Sequence, residues 1–329
     1  MAHSTENKRT DWIDVLKCFG ILAVIIGHIY RNDTVLGWFY SYHMPLFFFA
    51  GGLVYKKRDI LSDLKARLYS TIVPYFVFGT LIALYWYFVE RSFRDIDQTL
   101  GGAFLGLISG QYEYLEFHSH LWFLPCFFVT AVVYNILMNI GGKPVAYTVS
   151  LLITAAWVIF PIPSLPWGVD RVMMYIGLYA AGHAFMEHGA GEKTSALPLW
   201  IKAVGAAVLL CASVLLTDNG LTLGVMKYVT ALAGIMAFLL IAMMTERVKL
   251  FVYVGRITLV TLCIHGPVYR VLIKLISIPM NCTTDEVRSN ILPVLLITVV
   301  TTAICAAVYE LLKRFVPWII GVKRAKTDK

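Results

Sequence analysis

The stretch Asp11–His28, DWIDVLKCFGILAVIIGH, opens polar and becomes an apolar run that keeps three ionisable side chains: Asp14, Lys17 and His28. An α-helix advances about 100° and 1.5 Å per residue. The step from Lys17 to His28 therefore returns to within roughly 20° of one face, about 16 Å along the axis. Asp14 precedes Lys17 by one turn and lies on the neighbouring stripe. Lys17 alone could snorkel to headgroups with Asp14 as its partner, and His28 alone could be a satisfied core histidine. Both on one face favour a shared role, because ionisable groups inside a span are costly and mark functional sites.

The rest of the chain reads as membrane protein. Of 329 residues, 59% are apolar and only 15% charged, and mean hydropathy is +0.72. Soluble domains hold about 45–50% apolar and about 25% charged residues. The net charge of +8 fits a cation-rich inner face, so no nucleic-acid partner is expected; the lipid bilayer is the expected surrounding. No small-residue cleavage site follows the first apolar run, so the first helix is expected to be retained. Six cysteines are scattered without a CxxC pair, which disfavours a disulfide framework or a cysteine metal site.

A membrane helix needs roughly 20 mainly apolar residues. The expected fold class is all-α: a polytopic integral membrane helical bundle of about ten transmembrane helices. The spans fall at 13–31, 38–55, 67–89, 121–140, 144–161, 171–186, 199–216, 223–244, 257–277 and 291–312. The glycine-rich piece 99–109 is too short to span and reads as re-entrant or interfacial. Residues 1–10 form an N-terminal tail, 11–312 the membrane domain and 313–329 a basic C-terminal tail. With both termini cytoplasmic, the inner side holds Lys8, Arg9, Lys56, Lys57, Arg58, Lys65, Arg67, Lys143, Lys193, Arg247, Lys249 and the basic tail. The outer side holds few cations: Arg31, Arg91, Arg94, Arg171, Lys227 and Arg288. That asymmetry supports the orientation.

Further boxes follow in order: Tyr40–Asp59, YSYHMPLFFFAGGLVYKKRD; Lys65, Arg67 and Pro74; His120–Leu124, HLWFL; and Gly255–Thr258, GRIT, followed by His265–Pro267, HGP. With the first helix, these resemble the membrane-bound acyltransferase 3 family, and within it the fucose 4-O-acetylase-like subgroup that includes nodulation-factor acetylases. Lys17 and His28 are similar to the family's basic residue, ten intervening residues and histidine, with lysine for the commoner arginine. Gly51 stands where the family's second helix has serine, so that hydroxyl is missing here. The resemblance covers about residues 11–312.

It implies an acyl-CoA donor, acetyl-CoA, reaching the protein from the cytoplasm, with no bound cofactor. It also implies a glycan or lipid-linked sugar acceptor and the bacterial inner membrane. Phosphates of the donor need cations, for which Lys17, Lys65, Arg67 and Arg256 are the candidates. The catalytic set is His28 as general base with Lys17, Asp14 and His265; Asn32 or Asp33 could orient His28. Thr258, Thr261, His265 and Tyr269 form a polar stripe that reads either as a pore lining or as helix–helix contact. His43, His120, Trp122, Asp170 and Arg171 are candidates for holding the acceptor, although aromatic belts and simple ion pairing explain some of them equally well. His118 and His120 form an HxH pair, but without a third ligand in register no metal is expected.

A transporter of a small anion or lipid-linked sugar is the main rival, yet the paired interruptions of repeated halves are not visible. A non-catalytic receptor is a third reading. No esterase-like domain is expected beyond residue 329. The choice of glycan and hydroxyl, acetyl against another short acyl group, direct transfer against an acyl-histidine relay, the side of acceptor access and the oligomeric state, homo-oligomer included, stay open.

Overall fold

Long apolar runs interrupted by glycine, proline and charge produce helices and nothing else. The computed structural model describes residues 10–94, 96–160, 162–221 and 223–321, and no strand occurs among them. Residues 1–9, with Lys8 and Arg9, and the last part of the basic tail, 322–329, lie outside the described residues.

Helix α1 (Asp11–Ile29) is followed by α2 (Asp33–Leu53). Next comes a continuous helical run, Ile60–Glu90. It comprises α3 (Ile60–Arg67) and α4 (Val73–Tyr85), joined by one π-helical stretch at Leu68–Ile72 and ended by another at Trp86–Glu90. The run begins seven residues before the expected 67, so Lys65 and Arg67 lie within the helix. Pro74, just beyond the first π stretch, lacks the N–H an α-helix would use there, and wider turns are one way of absorbing such a loss. The short helix α5 (Leu100–Ser109) occupies the glycine-rich piece; Thr99 caps its start, and left-handed Gly110 its end.

Helix α6 (Phe123–Ile159) covers two expected spans, and its backbone breaks between them at Gly141 and Gly142. Gly142 has φ 67°, a left-handed value that glycine adopts freely. The remaining elements are α7 (Val169–Glu187), α8 (Ala190–Ser195), α9 (Leu199–Asp218), α10 (Met226–Thr245), α11 (Lys249–Arg256), α12 (Thr258–Ser277), α13 (Thr284–Ser289) and α14 (Ile291–Phe315). The last helix thus runs three residues past the expected end at 312. Among the described residues, each of the ten expected stretches is helical over most of its length. Among the described residues, seven helical runs are long and apolar enough to cross a membrane.

Small residues bring the helices together. A β-carbon on Gly52 of α2 would collide with the Tyr179 carbonyl of α7, and one on Gly182 of α7 would collide with the Phe49 carbonyl of α2. Gly255 of α11 lies against the Asp14 backbone of α1 in the same way. Close backbone approach at small residues is the usual packing device in lipid, where apolar side chains gain little by leaving their surroundings. Around these contacts Phe48, Tyr75, Trp86, Phe117 and Leu121 form a fully buried core.

One end of α1 is tied by charge. Asp14, 2% exposed, binds Lys17 Nζ at 2.7 Å and Arg256 Nε at 3.1 Å, and Arg256 also reaches Asp11 at 3.0 Å. Removing a buried carboxylate leaves its cations uncompensated. Asp14→Asn is expected to lower stability by about 1–3 kcal/mol, less than a fully buried pair because Lys17 and Arg256 reach solvent. Thermal unfolding in detergent checks this, with a smaller loss expected for Lys17→Met.

Candidate active site

At the other end of α1, four imidazoles from three separate chain segments meet. His28 comes from the last turn of α1, His118 and His120 from the turn that precedes α6, and His265 from the middle of α12. His120 is central. Its ring stacks on His28 with centroids 3.8 Å apart and on His265 at 4.7 Å, and lies 4.9 Å from His118.

The HGP sequence of α12 explains how His118 arrives. Pro267 has no N–H to give the carbonyl four residues back, that of Cys263. His118 Nε2 donates to that carbonyl at 2.7 Å. Gly266 leaves the space: a β-carbon there would lie 2.8 Å from His118 Nδ1 and 3.1 Å from Arg270 Nη1.

The carbonyl partners also select tautomers, because a carbonyl only accepts. His118 carries its proton on Nε2, leaving the Nδ1 lone pair; that atom is buried without a hydrogen-bond partner. His265 donates through Nδ1 to Thr261 and Leu262, both at 2.9 Å, leaving Nε2 buried and unpartnered. His120 Nε2 is likewise buried and unpartnered. Beside His28, the Tyr40 hydroxyl donates to the Gly27 carbonyl at 3.0 Å, so its oxygen can only accept from His28 Nδ1, 3.4 Å away. His28 Nε2 then holds a free lone pair.

Two cavities meet at this cluster, sharing Ser119 and His120. The smaller, about 380 Å³, is bordered by His28, Tyr40, His43, His120, Trp122 and Tyr175. Arg171 stacks over Trp122 at 4.2 Å and over Tyr112 at 4.9 Å, and Asp170 lies 3.8 Å from it. The larger, about 650 Å³, has His118 and His120 at one end and Arg31, Arg94, Arg270, Lys274 and Arg288 around its wall.

Of the residues expected to hold the acceptor, His43, His120 and Trp122 therefore border one cavity, with Arg171 stacked on Trp122 and Asp170 behind it. His28 borders the same cavity, whereas His265, 0% exposed, lies behind His120. Asp14 and Lys17 sit about 21 and about 16 Å from His28 along α1 and cannot touch the same reacting atoms. Arg256 shares their end of the helix. Arg67 pairs with Asp63 at 2.7 Å, and Lys65 is exposed.

Asn32 does not orient His28: its side chain caps α2 by accepting from Val35 N, and Tyr40 stands beside the ring instead. Thr258 and Thr261 border neither cavity, and their hydroxyls donate to the carbonyls of Gly255 and Ile257. Tyr40 and Arg270 escaped sequence reasoning, and His118 was weighed only as half of an HxH metal pair. Pro267 was a usable signal, because it exposes one known carbonyl.

His28, His120 and His265 each offer a nitrogen, all within 4.8 Å of one another. A zinc ion needs lone pairs that converge on one point about 2.0–2.1 Å from each nitrogen. Lone pairs lie in ring planes, and the planes of His28 and His120 are 19° from parallel and stacked. Stacked rings do not converge their lone pairs on one point, which argues against coordination. Chelation is accordingly expected to leave activity unchanged, as measured by turnover before and after EDTA treatment; loss restored by zinc would contradict this.

Apolar helices thus hold imidazole nitrogens without hydrogen-bond partners where two cavities meet. Residues 10–310 match the acyltransferase domain of the acyltransferase 3 family, and the chain belongs to that family. It is a multi-pass membrane acyltransferase. Comparison with curated proteins and with solved structures finds no match.

Proposed function

We propose that the protein is an O-acetyltransferase of the fucose 4-O-acetylase-like kind, moving acetyl from cytoplasmic acetyl-CoA to a sugar hydroxyl of a surface or secreted glycan or its lipid-linked precursor. The observation that carries this reading is the imidazole cluster at the junction of two cavities. Two substrates that meet at a base need two approaches and one shared point.

His28 Nε2 takes the hydroxyl proton as the oxygen attacks the thioester carbonyl. The carbon–sulfur bond breaks, the ester forms, and the imidazolium returns its proton to the leaving thiolate, giving free CoA. Direct transfer in a ternary complex needs no acyl-enzyme. His120 stacks on His28 and His265 on His120, packing the base against two further imidazoles. General-base help of this kind is typically worth about 10²–10⁴-fold.

The chain crosses a bacterial inner membrane ten times with both termini inside. Charged side chains at the helix ends mark two faces, and the lysine and arginine bias of the sequence orients them. Asp11, Asp14, Lys17 and Arg256 gather at one level, while Arg31, Glu90, Arg270 and Arg288 gather at the other. Lys17 and Arg256, which also pair with Asp14, are proposed for the donor's phosphates, about 16 Å below His28 along α1.

Membranes containing the protein, given radiolabelled acetyl-CoA and candidate glycans, are expected to transfer label to glycan. Absence of transfer together with solute flux in proteoliposomes lacking acetyl-CoA would establish the transporter instead.

A further inference from the structure

The outer side was expected to be poor in cations, yet three of the six expected there gather at one cavity. Arg31, Arg94 and Arg288 line the larger cavity together with Arg270 and Lys274, against a single carboxylate among the described residues, Glu90. Glu90 is held by Arg270 at 2.9 Å and Arg94 at 3.4 Å. Arg288 donates to the carbonyls of Ile29 and His28, the open C-terminal end of α1, at 2.9 and 3.0 Å. Arg31 and Lys274 are exposed to the cavity.

The guanidiniums are crowded. Burial, and then Arg31, push the Arg288 pKa down from its usual value. Burial, and then Arg270, lower Arg94, with Glu90 partly opposing. Like charges gathered in a half-desolvated recess are relieved by an anion. His118, 1% exposed, brings its unpartnered Nδ1 to the same cavity.

The other wall is apolar and open. Phe93 and Ile278 are 73% and 74% exposed, and Val89, Val271 and Leu275 are exposed beside them. These residues stand at the ends of two apolar helices, where exposed hydrocarbon meets lipid. A soluble anion would leave them unused, and a neutral lipid would leave the cations unused.

We propose that the larger cavity binds a phosphate-bearing, lipid-linked sugar as the acceptor: phosphate against Arg31, Lys274 and Arg288, hydrocarbon chain along Phe93 and Ile278, and sugar towards His120. This rests on the acyltransferase reading for the word acceptor, but the binding site stands or falls without turnover.

Farnesyl phosphate, an isoprenoid chain with one phosphate, is the probe, and binding to the purified full chain in detergent is the readout. Farnesyl phosphate is expected to bind more tightly than farnesol, inorganic phosphate or phosphatidylglycerol, and coenzyme A is expected not to displace it. Arg31→Gln with Lys274→Gln is expected to weaken it about tenfold or more, the worth of roughly one charged hydrogen bond. Unliganded thermal unfolding of that variant should match the parent, which separates lost binding from lost fold.

Equal binding of farnesol would show that the phosphate is not recognised. Equal binding of phosphatidylglycerol would make the cavity an ordinary anionic-lipid site, and displacement by coenzyme A would assign it to the donor. Each of these overturns the proposal. Glycan acetylation without farnesyl phosphate binding would remove only the acceptor class; binding without any acetylation would remove the enzymatic reading and keep the site.

Discussion

His28→Ala is expected to lower acetyl transfer by about 10²–10⁴-fold while the protein folds as before. The imidazole borders a cavity, and the hydrogen bond Arg288 donates to His28 goes to the backbone carbonyl, which alanine retains. Its ring partner is Tyr40, whose hydroxyl still has the Gly27 carbonyl after the substitution. Loss of fold is therefore not the expected route. His28→Gln keeps a hydrogen-bonding side chain but supplies no base, so it should fall with alanine. Tyr40→Phe removes the oxygen that favours a proton on Nδ1 and should reduce turnover by a smaller factor. Initial rates with radiolabelled acetyl-CoA measure all three. Transfer that survives in His28→Ala at the parental rate would remove His28 from the chemistry.

Gly182→Val is expected to abolish recovery of folded protein, and Gly52→Val likewise. A β-carbon at Gly182 would meet the Phe49 carbonyl and lie 3.1 Å from Leu53 N; one at Gly52 would meet the Tyr179 carbonyl and lie 2.8 Å from His183 N. These are backbone atoms of the facing helix, so no rotamer change relieves the overlap. Only separation of α2 from α7 does, and it would open contacts that bury Phe49 and Tyr179. Overpacking typically costs about 1–3 kcal/mol where side chains can yield, and here they cannot. Gly37→Ala on the same α2 is the control, because its β-carbon would make ordinary contact with Thr217 at 3.5 Å. Size-exclusion profiles in detergent should show monodisperse Gly37→Ala and aggregated Gly182→Val. A well-behaved Gly182→Val would mean that the two helices are not locked at this point.

The helices were legible because lipid demands long apolar runs, and every expected run is helical over most of its length. The break between 121–140 and 144–161 was legible too, since Gly141–Gly142 and Pro144 interrupt any helix there. Lys17 and His28 could be placed on one helix from spacing alone. Their neighbours could not. His118 reaches Cys263 across 145 residues of sequence, and periodicity carries no information over that separation. His120 read as a candidate for holding the acceptor, or as part of an interface belt with Trp122; the turn before α6 stacks it on His28, which spacing could not show.

The outer arginines were counted one by one as exceptions to a charge bias. Arg31 and Arg288 meet only because α13 folds back on the end of α1, where Arg31 N donates to the Arg288 carbonyl at 2.9 Å. Sequence spacing reads one helix at a time, whereas this pocket is assembled from the ends of several.

Sealed vesicles of known orientation, carrying an acetylatable glycan on the face that bears Arg31, test the transfer most directly. Radiolabelled acetyl-CoA added only to the opposite face is expected to label that glycan in the parent and to leave it unlabelled in His28→Ala. Labelling only when acetyl-CoA and glycan share one compartment would contradict transfer from the cytoplasmic side through the helix bundle.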